Sequence, residues 1–106
     1  MGTRTKQVIG EFVRKIRLLY GDRLKRILMY GSCARNEATA ESDIDLAVVL
    51  AGDVVPGKEI DRMIDIITDI NLEYGVLLSV YPVSEENYRS MNSPLLMNIR
   101  KEGTVV

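Results

Sequence analysis

Residues 43–50 read Asp43-Ile44-Asp45-Leu46-Ala47-Val48-Val49-Leu50, beginning as an alternation of charge with hydrocarbon and ending as an unbroken apolar run. A strand with one wet face keeps alternating to its end. The run Leu46 to Leu50 therefore suits a central strand covered on both faces, and the cover must come from the flanking segments.

Those segments have helical and extended patterns in a definite order. Val8, Ile9, Phe12, Val13, Ile16, Leu19 and Tyr20 recur at three- and four-residue spacing, which predicts an amphipathic helix over residues 4–20 ended by Gly21-Asp22. Residues 23–30 are short, rich in Leu, Ile, Met and Tyr, and stop at Gly31, as a strand entering a tight turn does. After the turn-rich residues 52–57, Ile60, Met63, Ile64, Ile67 and Ile70 mark the apolar stripe of a helix over 58–73; Glu59, Asp61, Arg62, Asp65 and Asp69 read as its solvated face. Tyr74-Gly75 closes that helix, and a third strand is expected over 76–81, ahead of Pro82. Ser84 and Ser93-Pro94 look like two helix starts, the second helix ending near Gly103 with Arg100 and Lys101 complementing its dipole. The expectation is one α/β (α+β) domain over residues 1–106, a mixed sheet of about three main strands flanked by helices.

Composition narrows the chemistry. The 106 residues carry 14 basic and 15 acidic side chains, so the net charge of -1 offers no footprint for duplex nucleic acid. Tyr20, Tyr30, Tyr74, Tyr81 and Tyr88 look too scattered along the chain for a base-stacking platform. Histidine is absent, which removes histidine bases, histidine metal ligands and serine-histidine triads; acid-base work falls to carboxylates, substrate or solvent. The lone Cys33 rules out an internal disulfide framework, suits a reducing cytoplasm, and reads as a packing residue rather than a nucleophile. No apolar run is long enough to span a bilayer, and residues 1–7 are polar, so a cytoplasmic protein is expected.

The chemistry-bearing residues sit around the first turn. Gly31, lacking a β-carbon, lets phosphate oxygens approach main-chain N–H groups; Ser32 adds a hydroxyl, and a short helix over 32–38 would turn its N-terminal amides toward a polyphosphate. Arg35 is the nearest fixed cation and is placed for a forked contact with a triphosphate. Asp43 and Asp45, two residues apart on a strand, project from one face with α-carbons roughly 6.5 Å apart. Two such acids repel one another without a cation, and hard oxygen ligands that leave room for water and phosphate suit Mg²⁺.

Gly31-Ser32, ten residues, then Asp43-Ile44-Asp45, set between a strand and a hydrophobic strand, resembles the minimal nucleotidyltransferases of the DNA polymerase β superfamily. Tyr30-Gly31-Ser32-x-Ala34-Arg35, Ser42-Asp43-Ile44-Asp45-Leu46, residues 72–81 and the tail Asn98-Ile99-Arg100-Lys101-Glu102-Gly103 all fit, so the likeness covers nearly the whole chain. It implies Mg²⁺-dependent transfer of a nucleoside monophosphate, AMP from ATP foremost, with Gly31 and Ser32 on the β- and γ-phosphates and Asp43 and Asp45 on the metal. It also implies a HEPN-domain toxin as partner, with this chain as antitoxin and a tyrosine of the toxin as one acceptor known in the family. Active members place a third acid on the strand after the helix; here that position is Ser79, which can hydrogen-bond but supplies neither charge nor base. Two functions stay open: a nucleotidyltransferase that modifies its partner, and a nucleotide-binding antitoxin that acts by complex formation alone.

Overall fold

A computed structural model describes residues 3–31 and 43–106. The first helix, α1, spans Thr3–Tyr20 and buries Val8, Ile9, Phe12 and Ile16. A turn of 3₁₀ helix, Gly21–Arg23, leads into β1, Leu24–Tyr30. The chain continues as β2 (Ile44–Leu50), α2 (Pro56–Tyr74), β3 (Leu78–Ser84), α3 (Glu85–Ser90), α4 (Pro94–Glu102) and β4 (Thr104–Val105). The helix expected over 32–38 lies outside the described residues.

The sheet has the order β3-β2-β1-β4 and is mixed: β1 pairs antiparallel with β2 and β4, while β2 and β3 run parallel, joined by α2. This is the small α+β architecture that the sequence pattern implied. The run Leu46 to Leu50 is wholly buried in the middle of it. Alternation sends Ile44, Leu46, Val48 and Leu50 into a core shared with α1 and α2, and sends Ala47 and Val49 to the other face, against Leu96 and Ile99 of α4 and Val83 of β3.

Local chemistry sets the element ends. Gly75 takes the left-handed conformation (φ 62°) that stops α2, and Asn71 Oδ1 accepts a hydrogen bond from the Leu78 N–H at 2.9 Å, pinning the start of β3 to that helix end. Ser84 and Ser93 cap α3 and α4, their hydroxyl oxygens accepting from the N–H groups of Asn87 at 3.1 Å and Leu96 at 3.2 Å.

Four details depart from the sequence expectations. β3 begins two residues later than expected and runs through Pro82 to Ser84 rather than stopping before it; β3 is an outer strand, with one side on which a missing N–H interrupts no ladder. The tail after Gly103 adds β4 beside Leu28 and Met29, a pairing too short to leave a pattern. Arg100 serves less as a dipole complement than as a clamp on the α3–α4 connection, donating to the carbonyls of Tyr88 at 2.9 Å and Met91 at 2.7 Å and to Asn92 Oδ1 at 2.9 Å.

Glu59 is the fourth, a buried carboxylate rather than part of a solvated face. Tyr20 Oη donates to its Oε1 at 2.9 Å, Arg23 Nη2 lies 3.2 Å from its Oε2, and Arg23 also donates to the carbonyls of Ala51 at 3.0 Å and Asp53 at 2.6 Å. Burial by itself would raise the Glu59 carboxyl; the hydrogen bonds from Tyr20 and Arg23 and the charges of Arg23 and Arg62 outweigh it and hold the group below the usual carboxylate range. Burial, then the bond to Glu59, pushes the Tyr20 hydroxyl up. A carboxyl whose pKa is depressed on folding adds stability that is complete above its unfolded pKa and disappears as pH falls through the lowered folded value. Arg23→Ala should therefore lower stability by about 2–3 kcal/mol at neutral pH, since charged hydrogen bonds and a buried acceptor are left unmatched, and the melting temperature by roughly 10 °C. Thermal unfolding against pH checks this: the difference between variant and parent should shrink on acidification below the carboxylate range.

Candidate active site

Strand pairing assembles one row of residues. The antiparallel register sets Tyr30 opposite Asp45, and the parallel register sets Ser79 opposite Asp45 from the other side. Opposed residues share a face, so Tyr30, Asp45 and Ser79 lie side by side across β1, β2 and β3, on the face that α3 and α4 partly cover. Leu28, Ala47 and Tyr81 form the next row.

Gly31 closes β1 at the edge of that row with φ 73°, a conformation that disfavours any side chain. A β-carbon there would be driven into Asp45 Oδ2 and would lie 3.3 Å from Asp45 Cγ. The Asp45 carboxylate thus fills the space over the Gly31 α-carbon, so the turn and the acid meet without an intervening side chain. Asp45 is half-buried; Asp43, just ahead of β2, is exposed and by strand alternation belongs to the same face. Ser79 is exposed beside them. Ser32 and Arg35, and Cys33 with them, lie outside the described residues.

Other acids stay apart from the row. Asp69 and Glu73 belong to α2, on the opposite face, and Glu85 and Glu86 open α3 beyond Ser84, at the far end of β3. Glu102 is the carboxylate that sequence reasoning passed over: half-buried, it ends α4 three residues beyond Ile99, which follows Leu96 by three, so it continues the stripe that covers this face. Among the described residues no group of three or more acids, cysteines or histidines can enclose a metal. Two hard carboxylates without a full cage suit a divalent ion that completes its shell from water and phosphate, which is the donor set Mg²⁺ accepts.

Tyrosine is the other missed component. Tyr30, Tyr81 and Tyr88, scattered in sequence, gather against one apolar cluster on this face, with Arg26 stacked over the Tyr88 ring at 5.5 Å. Burial raises the Tyr30 hydroxyl first, then the negative charge of Asp45 and the neighbouring Tyr81. The register that brings them together crosses a connection too long for turn chemistry to fix, so the pairing of Tyr30 with Asp45 left no sequence signal.

The profile of the family described as polymerase β nucleotidyltransferases matches residues 15–106. The chain belongs to this family. This nucleotidyltransferase is 37% identical over 102 residues, 95% of its own length and 96% of the relative's, to a Methanocaldococcus jannaschii protein provisionally named a protein adenylyltransferase. A second protein of that organism with the same provisional name is 33% identical over 73 residues, 69% of this chain and 73% of the relative. Among solved structures, a chain of a toxin–antitoxin complex with AMP-PNP superposes with a TM-score of 0.63 at 17% identity, over 89% of this chain and 68% of the other. A provisionally named nucleotidyltransferase from Sulfolobus solfataricus gives 0.61 at 16% identity, over 96% and 75%. A variant of the toxin–antitoxin MntA-HpeT, with two aspartates two positions apart changed to glutamate, gives 0.60 at 15% identity, over 88% and 67%. At these identities the structural likeness is one of fold.

The nucleotidyltransferase's Gly31 is doubly constrained, by φ and by the carboxylate above it. Gly31→Ala should destabilise the fold by about 1–3 kcal/mol through left-handed strain and push Asp45 out of place. Thermal unfolding and titration with a non-hydrolysable ATP analogue check this together, the expected result being at least a tenfold weaker binding constant in a variant that still folds.

Proposed function

We propose that the protein transfers AMP from ATP to a hydroxyl of a partner protein in the presence of Mg²⁺, and that it is the cytoplasmic antitoxin of a pair whose toxin carries a HEPN domain. The observation that carries the proposal is the Asp45 carboxylate seated over the left-handed Gly31, an acid for a cation placed against a turn for phosphate. Adenylyl transfer to protein is supported by the name of a relative matched over 95% of this chain. The partnership is supported by the fold shared with a chain of a toxin–antitoxin complex containing AMP-PNP.

In this scheme the main-chain N–H groups at Gly31 and Ser32, with the Ser32 hydroxyl, hold the β- and γ-phosphates, and Arg35 adds a forked contact. Asp43 and Asp45 hold the divalent ion, whose contribution when bound is to neutralise phosphate charge. The acceptor oxygen bonds to the α-phosphorus as the bond to pyrophosphate breaks. Ser79, next to Asp45 on β3, hydrogen-bonds on the acceptor side and takes up no proton, so the proton leaves to water. No helix among the described residues is long and apolar enough to cross a membrane.

Ser79 favours a second reading, in which nucleotide is bound but turned over weakly or not at all and the partner is neutralised by complex formation. Incubation with Mg²⁺, labelled ATP and the product of the neighbouring gene separates the two. Transfer of label, reduced at least about 100-fold by Asp43→Asn or Asp45→Asn and raised by Ser79→Asp, is the expected result. Undiminished labelling in both asparagine variants contradicts the assigned site, and neutralisation without labelling that survives Asp43→Asn establishes the second reading.

A further inference from the structure

The face of the molecule opposite the tyrosines carries no part of the chemistry, yet its outer surface is patterned. On α1, Gly10, Val13, Arg14, Arg17 and Leu18 recur at three- and four-residue spacing and line an open groove, with Leu18 78% exposed. On α2, Asp61, Ile64, Asp65, Thr68 and Leu72 recur in the same way and are all exposed, Leu72 at 79%. Val13 packs against the core; the other residues of both stripes lie on the side of their helix turned away from Val8, Phe12, Ile16, Met63, Ile67 and Ile70, and α1 and α2 are neighbours, so the two stripes face outward side by side. One stripe is cationic and the other anionic. Among the described residues Arg17, Asp61 and Asp65 form no ion pair, and Arg14 has only Glu11 at 3.9 Å.

The helices are antiparallel neighbours whose relative height is fixed where the Tyr20 hydroxyl donates to Glu59 at 2.9 Å. Counted at equal rise per residue from that bond, Arg17 comes level with Asp61 and Arg14 with Asp65. A two-fold axis parallel to the helices, lying in this surface, sets α1 of one copy over α2 of another and matches every Arg with an Asp at the same height. It also covers Leu18, Ile64 and Leu72. We infer that the α1–α2 surface is a homodimer interface, in which the basic α1 stripe of each copy packs antiparallel on the acidic α2 stripe of the other as a four-helix layer. A closed two-fold contact needs a self-complementary patch, and this surface has both halves on one chain.

Sedimentation equilibrium and light scattering of the whole chain test the inference. The expected result is a species of twice the 11.9 kDa monomer mass at micromolar to submillimolar concentration, dissociating as salt rises. Arg14→Glu with Arg17→Glu, and separately Asp61→Arg with Asp65→Arg, should each give folded monomers, because like charges then meet at both contacts. Mixing the two variants should restore the dimer, since the heterodimer has opposite charges at both contacts. A parent that stays monomeric to 0.5 mM, roughly the millimolar limit of weak association, overturns the inference; so do variants that dimerise like the parent, or a mixture that stays monomeric. A partner protein that occupies this surface instead would appear as a monomeric parent and count against the dimer.

Discussion

The register between β1 and β2 is the constraint on which the rest of the structure depends. It sets Asp45 opposite Tyr30 and so brings its carboxylate over Gly31, the residue at which β1 ends. A slip of one residue would turn Asp45 into the α1–α2 core, where Ile44 and Leu46 now sit, and would turn Leu46 out into the site. An unpaired carboxylate in that core has no compensating donor, whereas Leu46, Val48 and Leu50 fill it completely. The buried run Leu46 to Leu50 thus fixes the register, the register places the acid, and the acid with the glycine turn makes the site we propose for a nucleoside triphosphate.

Much of this was legible because it is local. The helical stripes of α1 and α2, the serine caps, the glycine that ends α2 and the fully covered central strand follow from spacing and from the conformational limits of single residues. What escaped depends on which distant residues meet. Glu59 read as solvated because its stripe position is polar, and only the return of α1 brings Tyr20 and Arg23 onto it. Tyr30, Tyr81 and Tyr88 read as scattered because strand pairing, not sequence distance, decides their company. Pro82 read as a terminator because nothing in the sequence says that β3 is an outer strand.

The two faces of the sheet serve different ends. One holds the acids, the glycine turn, Ser79 and the tyrosines, only partly roofed by α3 and α4, as the proposed binding of nucleotide and acceptor there requires. The other is sealed by α1 and α2 and tied at one end by Glu59, Tyr20 and Arg23, so the register of the central strands is held by packing that the chemistry does not disturb. A site at strand ends, supported by a core it does not share, is kept in geometry by residues that never touch the substrate.

The central claim is that Gly31, Asp43 and Asp45 form one site for a cation and a polyphosphate. Its most direct test is backbone-amide NMR with Mn²⁺ as a paramagnetic substitute for Mg²⁺ in the presence of AMP-PNP. Selective broadening centred on Gly31, Asp43 and Asp45, reaching Ser79 and sparing Glu59 and α1, is the expected result. Broadening centred anywhere else, or none at nucleotide saturation, would contradict it.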